Sequence, residues 1–181
     1  MMRKEAYDLL AQRLKNKNLF KHCLAVEACL RKLAQGFGED EDLWGMAGLL
    51  HDIDYEETDG DPARHGLEGA LFLEKLGIDE MVVRAVKAHS GHLGPSSELD
   101  WALFSADPLT GLIVASALMH PEKKLSALDT DFILRRFKEK RFAAGANREQ
   151  IAACKNLGLE LEAFIGICLE GMQGVAEELG L

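Results

Sequence analysis

Apolar residues recur along this chain at intervals of three and four positions, which is the period of an amphipathic helix. Polar side chains typical of helix N-termini and glycines typical of helix ends separate these stretches. The pattern predicts helices over residues 4–15, 18–35, 40–51, 62–76, 79–90, 97–118, 130–138, 147–157 and 160–179. The predicted N-terminal caps are Asn18, Asp40, Asp61, Ser97 and Asn147. No convincing strand is found, so the chain is predicted to be all-α.

The length and composition favour one folded domain. A chain of 181 residues can bury a sizeable core, and 48% hydrophobic with 28% charged residues is the balance of a globular protein. We expect residues 1–181 to form a single helical bundle of about eight to ten helices. Pro121 ends the long helix, so we divide this bundle into a core at 18–118 and a C-terminal helical extension at 122–181.

Charge and cysteine content limit the partners and the compartment. The net charge of −9 repels a phosphate backbone, so nucleic-acid duplexes are not expected to bind. No apolar run follows the charged N-terminus, and no window approaches the roughly 20 apolar residues that span a membrane. The cysteines form no CxxC pair and are predicted to be buried thiols of a cytoplasmic protein: Cys23, Cys29, Cys154 and Cys168.

Several predicted helices place a metal-binding type of side chain on the face that should be buried. His22 lies four positions before Val26, and similar spacing relates the other polar residues to apolar neighbours: His65, His89 and Asp107. Burial of one such group without a partner costs about 1–3 kcal/mol, and burial of a bare carboxylate costs more. A bound metal ion would be a common partner, because it accepts neutral imidazoles and ionised carboxylates together.

Each of these residues also has a simpler explanation. A single core-facing histidine such as His22 is more often a hydrogen-bonded core residue than a ligand. Asp107 could be a buried hydrogen-bond acceptor, and the pair His51-Asp52 could cap the last carbonyls of its helix. The occurrence of all of them on separate helices favours a metal site.

The order of these residues resembles that of the HD superfamily of metal-dependent phosphohydrolases. The similarity lies in His22, in the doublet of Gly48-Leu49-Leu50-His51-Asp52-Ile53-Asp54, and in Ser105-Ala106-Asp107. The additional His65 and His89 resemble the two-metal branch, which includes diadenosine tetraphosphate hydrolases and cyclic-dinucleotide phosphodiesterases. Nearly the whole chain is similar to a bacterial group of predicted HD hydrolases without a settled substrate.

The resemblance implies a ligand set and a cofactor. The first metal would be held by His22, His51, Asp52 and Asp107. The second would be held by His65 and His89, with Asp52 bridging the two metals. The cofactor would therefore be one or two divalent transition-metal ions. Mixed histidine and carboxylate ligation with water favours octahedral Fe or Mn, and Zn, Co, Ni and Mg are alternatives.

Three residues are predicted to be catalytic: Asp52, Asp54 and His92. Asp54 either positions water or a ligating histidine, or is a surface carboxylate of an acidic loop. His92 is an extra ligand, a proton donor or an ordinary loop histidine.

The predicted substrate-binding residues are all basic. Arg64 and Lys87 neighbour the ligand histidines, and Lys138 and Arg148 belong to a basic stretch whose alternative role is a solvated face. The resemblance is incomplete in two respects. The Gly-Tyr-Pro segment of the cyclic-dinucleotide branch is absent, which disfavours that substrate. No lysine follows the doublet closely, so a phosphate clamp must come from elsewhere.

The expected function is therefore hydrolysis of a phosphoester or phosphoanhydride bond by metal-activated water. The expected partner is a small phosphorylated, nucleotide-like substrate, with no membrane and no nucleic-acid duplex involved. A homodimer stays open as an oligomeric state. Two alternatives remain at this point: a non-catalytic, metal-stabilised nucleotide-binding or signalling module, and a di-iron oxygenase on the same scaffold.

Overall fold

The computed structural model of the protein describes all 181 residues and contains helices but no strand. The eleven α-helices are α1 (Arg3–Arg13), α2 (Lys17–Phe37), α3 (Glu41–Leu50), α4 (Tyr55–Thr58), α5 (Leu67–Lys75), α6 (Glu80–His89), α7 (Glu98–Met119), α8 (Thr130–Lys138), α9 (Arg148–Ala152), α10 (Leu161–Gly174) and α11 (Ala176–Leu179). Two short 3-10 helices cover Leu125–Ala127 and Ala153–Leu157. The prediction of an all-α helical domain is confirmed.

Several predicted boundaries are correct because the cap side chain bonds the first turn. Asp40 accepts from the amides of Asp42 and Leu43, and Ser97 exchanges hydrogen bonds with Asp100. The predicted cap Asn18 is wrong, since Asn16 accepts from the amides of Asn18 and Leu19 and so begins α2 earlier.

Other boundaries depend on tertiary contacts and were predicted wrongly. A helix starting at Pro62 is not formed: residues 62–66 make turns, and α5 begins at Leu67. The segment predicted as one helix over 160–179 is interrupted at Val175 and forms α10 and α11. The helix predicted over 147–157 changes to a 3-10 helix after Ala152, and the single turn α4 was not predicted.

The two longest helices, α2 and α7, lie at the centre of one hydrophobic core of 43 buried residues. α2 packs on α3, α10 and α7, and α7 packs on α6, α8 and α9. The predicted C-terminal extension thus shares its core with the preceding helices. α7 is the one helix that is long and apolar enough to cross a membrane, contrary to the expectation above. Its apolar window is 56% buried inside the protein, as in a core helix.

The contact between α2 and α3 depends on a glycine that the backbone of α2 approaches closely. A Cβ added at Gly48 would lie 2.7 Å from the amide nitrogen of Glu27, a contact that real side chains do not make. Gly48 precedes His51 by less than one helical turn. The absence of a side chain at Gly48 therefore lets α3 bring His51 close to α2.

Candidate metal centre

Five segments bring the six predicted ligands to one place. His22 lies in α2, His51 and Asp52 follow the last turn of α3, and His89 is the last residue of α6. His65 lies in the turns before α5, and Asp107 lies in the middle of α7. Three of the six ligands lie at helix ends and one lies in a turn, where the backbone can direct side chains towards a shared centre.

Asp52 lies among the histidines. Its Oδ1 atom is 3.3 Å from Nε2 of His51, 3.3 Å from Nε2 of His65 and 3.6 Å from Nε2 of His89. Its Oδ2 atom is 3.7 Å from Nε2 of His22. One carboxylate therefore faces four imidazoles, the position that a bridging ligand would take.

The remaining distances define two neighbouring clusters that share His51. Nε2 of His22 is 3.0 Å from Oδ1 of Asp107 and 3.2 Å from Nε2 of His51. Nε2 of His89 is 3.3 Å from Nε2 of His65. The triads His22, His51, Asp107 and His51, Asp52, His89 each have ligand atoms close enough to hold a metal ion.

The outer nitrogen of each imidazole is fixed by a hydrogen bond. Nδ1 of His51 bonds the carbonyl of Gly48 at 2.8 Å, and Nδ1 of His89 bonds the carbonyl of Val86 at 2.6 Å. A carbonyl only accepts, so both Nδ1 atoms carry the proton and both Nε2 lone pairs point into the centre.

His65 and His22 are held in the same way by side chains. Nδ1 of His65 donates to Oδ1 of Asp54 at 2.9 Å. Nδ1 of His22 lies 3.1 Å from the hydroxyl of Thr110, which itself donates to the carbonyl of Asp107 at 2.9 Å. Because that hydroxyl has only one proton, it accepts from His22. In the neutral form of each ring, Nε2 is therefore the atom without a proton, and all four Nε2 atoms face the centre.

Four lone pairs and two carboxylates facing one another need positive charge between them. Burial lowers the pKa of His51 to about 4, so this imidazole stays neutral and cannot supply it. Burial also acts to lower the pKa of His65, but hydrogen bonds to Asp52 and Asp54 outweigh it and raise this pKa to about 10. The field at the centre thus strongly favours a cation, and the donor set fits a divalent metal ion.

The carboxylates are held in their ionised form. Burial acts to raise the pKa of Asp52, but the facing imidazoles hold it well below its usual range. Burial likewise acts to raise the pKa of Asp107, but the hydrogen bond to His22 outweighs it, so this pKa is also lowered. Ionised carboxylates and neutral imidazoles are the protonation states that metal binding requires.

The ligand side chains differ in their exposure to solvent. The side chains of His51 and His89 are 0% and 2% exposed. Those of His22 and Asp107 are 24% and 29% exposed, and that of His65 is 14% exposed. A ligand from solvent would therefore meet these three side chains first.

Asp54 is buried behind His65 and does not face the centre. Its Oδ2 atom accepts from the amides of Gly66 and Gly69 at 2.8 Å and 2.6 Å. Burial acts to raise its pKa, but these bonds and the bond to His65 lower it. A Cβ at Gly69 would lie 3.0 Å from the carboxyl carbon, so this glycine leaves room for Asp54. Asp54 is thus a positioning residue for His65 and not a surface carboxylate.

His92 lies beside the same segment. Its Nε2 atom donates to the carbonyl of His65 at 2.9 Å. The ring is therefore attached to the backbone of a ligand residue, and its predicted role as ligand or proton donor stays a prediction.

The predicted substrate-binding residues are distributed over the surface. Arg64 is paired with Glu68, and Lys87 lines a cleft of about 330 Å³ beside Arg84. Lys138 lines a cleft of about 610 Å³ formed with the loop 139–147. The guanidinium of Arg148 donates to backbone carbonyls of the loop and of α8, and these contacts give it a structural role. The contact of these residues with substrate stays a prediction.

Sequence reasoning did not identify Thr110. This buried residue follows Asp107 by three positions on α7, so its hydroxyl reaches the Asp107 carbonyl while contacting His22. A hydroxyl one turn from a candidate ligand on a core-facing stripe was the available signal. This signal does not distinguish a residue that supports a ligand from an ordinary core residue, because buried threonines commonly bond their own helix.

Comparison with known proteins agrees with this geometry. The family model described as HD domain matches residues 19–112, which include all six predicted ligands. An uncharacterized protein of Methanocaldococcus jannaschii is 36% identical over 87 residues, covering 45% of this chain and 50% of that protein. Ribonuclease Y of Sulfurovum is 29% identical over 150 residues, covering 82% of this chain and 28% of the relative.

A second Ribonuclease Y, from Staphylococcus epidermidis, is 30% identical over 139 residues, covering 74% of this chain and 26% of the relative. The chain therefore spans half the length of the archaeal relative and under a third of these two Ribonuclease Y proteins. The family match covers more than half of the chain and coincides with the helices that build the centre. On this evidence, the protein belongs to the HD domain family.

Proposed function

We propose that this protein is a metal-dependent phosphohydrolase that cleaves a phosphoester or phosphoanhydride bond of a small nucleotide-like substrate. One observation carries the proposal. Four imidazoles whose Nδ1 atoms are bound elsewhere direct their Nε2 atoms at one another and at two carboxylates, a donor set that fits a bound divalent cation. Membership of the HD family supports phosphohydrolase chemistry on this scaffold.

Divalent cations, when bound, supply Lewis-acid activation of water and neutralise charge that develops on phosphoryl oxygens. The chain contributes a rigid set of ligands. His51 and His89 are held by carbonyls of their own helices, so they need not reorient when the cofactor binds. Asp52 stays ionised between four imidazoles and would bridge two ions.

The other residues control access and proton position. Asp54 accepts a hydrogen bond from the Nδ1–H group of His65, and this bond fixes the tautomer in which Nε2 faces the centre. The side chains of His22 and Asp107 are partly exposed, whereas that of His51 is fully buried. We therefore propose that a substrate reaches the centre past His22 and Asp107.

The substrate class is inferred from chemistry and from relatives. Relatives named Ribonuclease Y act, by that name, on RNA. The net charge of −9 disfavours a long polyanion on this chain. We therefore propose a mononucleotide, dinucleotide or short oligonucleotide.

The test combines metal analysis with a substrate panel. Purified protein, reconstituted separately with Fe, Mn, Zn, Co, Ni and Mg, is assayed on phosphomonoesters, dinucleoside polyphosphates, cyclic dinucleotides and short oligoribonucleotides. Asp52→Asn should lose bound metal and at least 100-fold in kcat, because it removes the bridging charge. Asp131→Asn, which changes an exposed carboxylate without an ion pair, should retain both. Full activity of Asp52→Asn, or absence of bound metal in every reconstituted sample, would contradict the proposal.

A non-catalytic nucleotide-binding module is the second candidate, and one observation favours it. The arginines closest in sequence to ligand histidines are already paired, Arg64 with Glu68 and Arg84 with the buried Asp100. They are not free to stabilise a developing phosphoryl charge. Tight nucleotide binding by metal-loaded protein, without turnover of any substrate in the panel, would establish this alternative.

A further inference from the structure

A cleft of about 610 Å³ lies between the end of α8 and the loop 139–147, and it contains no residue of the metal centre. It is lined by Phe137, Lys138, Lys140, Ala144, Gly145, Ala146, Asn147 and Arg148. Three of these side chains are cationic and none is a carboxylate. The lining therefore favours an anion.

Arg148 organises the loop that forms one wall of this cleft. Its guanidinium donates hydrogen bonds to the carbonyls of Phe142, Ala143 and Ala146 at 2.5, 2.8 and 2.7 Å. It also donates to the carbonyl of Phe137 at 3.2 Å. The loop carbonyls are thus drawn to one cation, and the segment keeps a fixed shape.

The same arrangement leaves backbone N–H groups free. A peptide whose carbonyl points inward directs its N–H roughly outward, because the two bonds are antiparallel. The carbonyls of Glu139 and Ala143, both bound by Arg148, share their peptides with the amides of Lys140 and Ala144, and neither amide makes a hydrogen bond within the chain. The amide of Gly145 is also unbonded. Ala143 in the same loop has a positive φ of 44°. Residues that line the cleft therefore carry unbonded N–H groups as well as lysine side chains.

The charge around the cleft contrasts with that of the chain. Residues 135–148 contain six basic side chains and one carboxylate, in a protein whose net charge is −9. Arg136 pairs with that carboxylate, Glu139. The exposed side chains of Lys138 and Lys140 make no ion pair, so they are available to an anion from solvent.

We propose that this cleft binds a phosphate group of a free nucleotide or of an oligonucleotide end. A phosphate dianion accepts several hydrogen bonds at once, which matches lysine ammonium groups next to unbonded backbone amides. Phe137 adds an apolar side to the same cleft, suited to the organic part of such a ligand. The site is separate from the metal centre, so its binding function extends the proposed activity and is testable without turnover.

The experiment is an amide NMR titration of the metal-free full chain with inorganic phosphate, against sodium chloride at equal ionic strength. Phosphate should shift the amides of Lys140, Ala144 and Gly145 and saturate. The variant Lys138→Gln/Lys140→Gln should bind phosphate at least tenfold more weakly, because two point charges are lost. Both positions are exposed, so the fold should be retained.

The matched control is Lys75→Gln/Lys155→Gln, which removes two exposed lysines outside the cleft and should change the affinity less than twofold. AMP and a 5′-phosphorylated pentauridylate then carry the same group on a free nucleotide and on a strand. Whichever of these two ligands saturates the shifts of the loop amides at the lower concentration identifies the kind of molecule whose phosphate the cleft binds. Shifts equal in phosphate and chloride, or equal binding by the two double variants, would overturn the proposal. Loss of hydrolysis with intact loop shifts would instead contradict only the proposed activity.

Discussion

Replacement of Thr110 by valine should weaken metal binding without unfolding the protein. Valine has nearly the shape of threonine but lacks the hydroxyl that accepts from Nδ1 of His22 at 3.1 Å and donates to the carbonyl of Asp107 at 2.9 Å. His22 would lose the bond that fixes its tautomer and ring orientation. One of the two carboxylate-bearing segments would lose its link to α2.

The expected losses of metal affinity and of folding stability follow from these two hydrogen bonds. Loss of a partner that orients a metal-binding histidine typically lowers metal affinity about 10- to 100-fold, equivalent to about 1.4–2.7 kcal/mol. Loss of one neutral hydrogen bond at the partly exposed His22 should cost metal-free stability only about 0.5–1.5 kcal/mol. The effect on metal affinity should therefore exceed the effect on folding.

The assay is competition with a chelator of known affinity for Mn or Zn, together with urea unfolding of the metal-free protein. Thr110→Ser keeps the hydroxyl and should restore most of the affinity. Ser116→Ala removes a buried hydroxyl that bonds its own helix at Leu112 and should leave metal affinity unchanged. Wild-type affinity in Thr110→Val, or no recovery in Thr110→Ser, would refute the assigned role of this hydroxyl.

Three further predictions follow from the site and its support. Asp54→Asn should lower metal affinity about 10- to 100-fold, because one amide oxygen cannot accept from both His65 and the backbone donors. Calorimetric titration measures this affinity, and an unchanged value would contradict the prediction. Gly48→Ala should destabilise the protein by about 1–3 kcal/mol in urea unfolding through its contact with Glu27, whereas Gly36→Ala, which has open space around it, should not destabilise it. Removing the metal from protein kept at a free metal concentration of about 100 times the Kd should lower Tm by about 5–10 °C. An unchanged Tm in calorimetry would argue against a bound structural ion.

Helical periodicity was sufficient to identify much of the fold and four candidate ligands, whereas the doublet His51-Asp52 was recognised through the resemblance to the HD superfamily. His22 and Asp107 stood out because a polar residue occupied a core-facing position, and the structure places both at the centre. Asp40 and Ser97 were predictable because an N-terminal cap is a local interaction between neighbours in sequence.

The remaining features depend on contacts between distant residues. The turns at 62–66 replace the predicted helix start where Gly66, at a φ of 76°, donates its amide to Asp54, and no local rule shows that bond. Arg148 was predicted to bind substrate from its charge alone. Its carbonyl partners belong to a loop whose path was not evident from the sequence.

The distribution of ligands along the chain has a consequence for protein synthesis. His22 is made early and Asp107 late, and the two meet only when α7 packs against α2. A ribosome-bound chain that has not yet exposed Asp107 holds an incomplete ligand set and should retain metal poorly. Stable metal loading would thus be a late event in biogenesis, reserved for chains whose two central helices have already assembled.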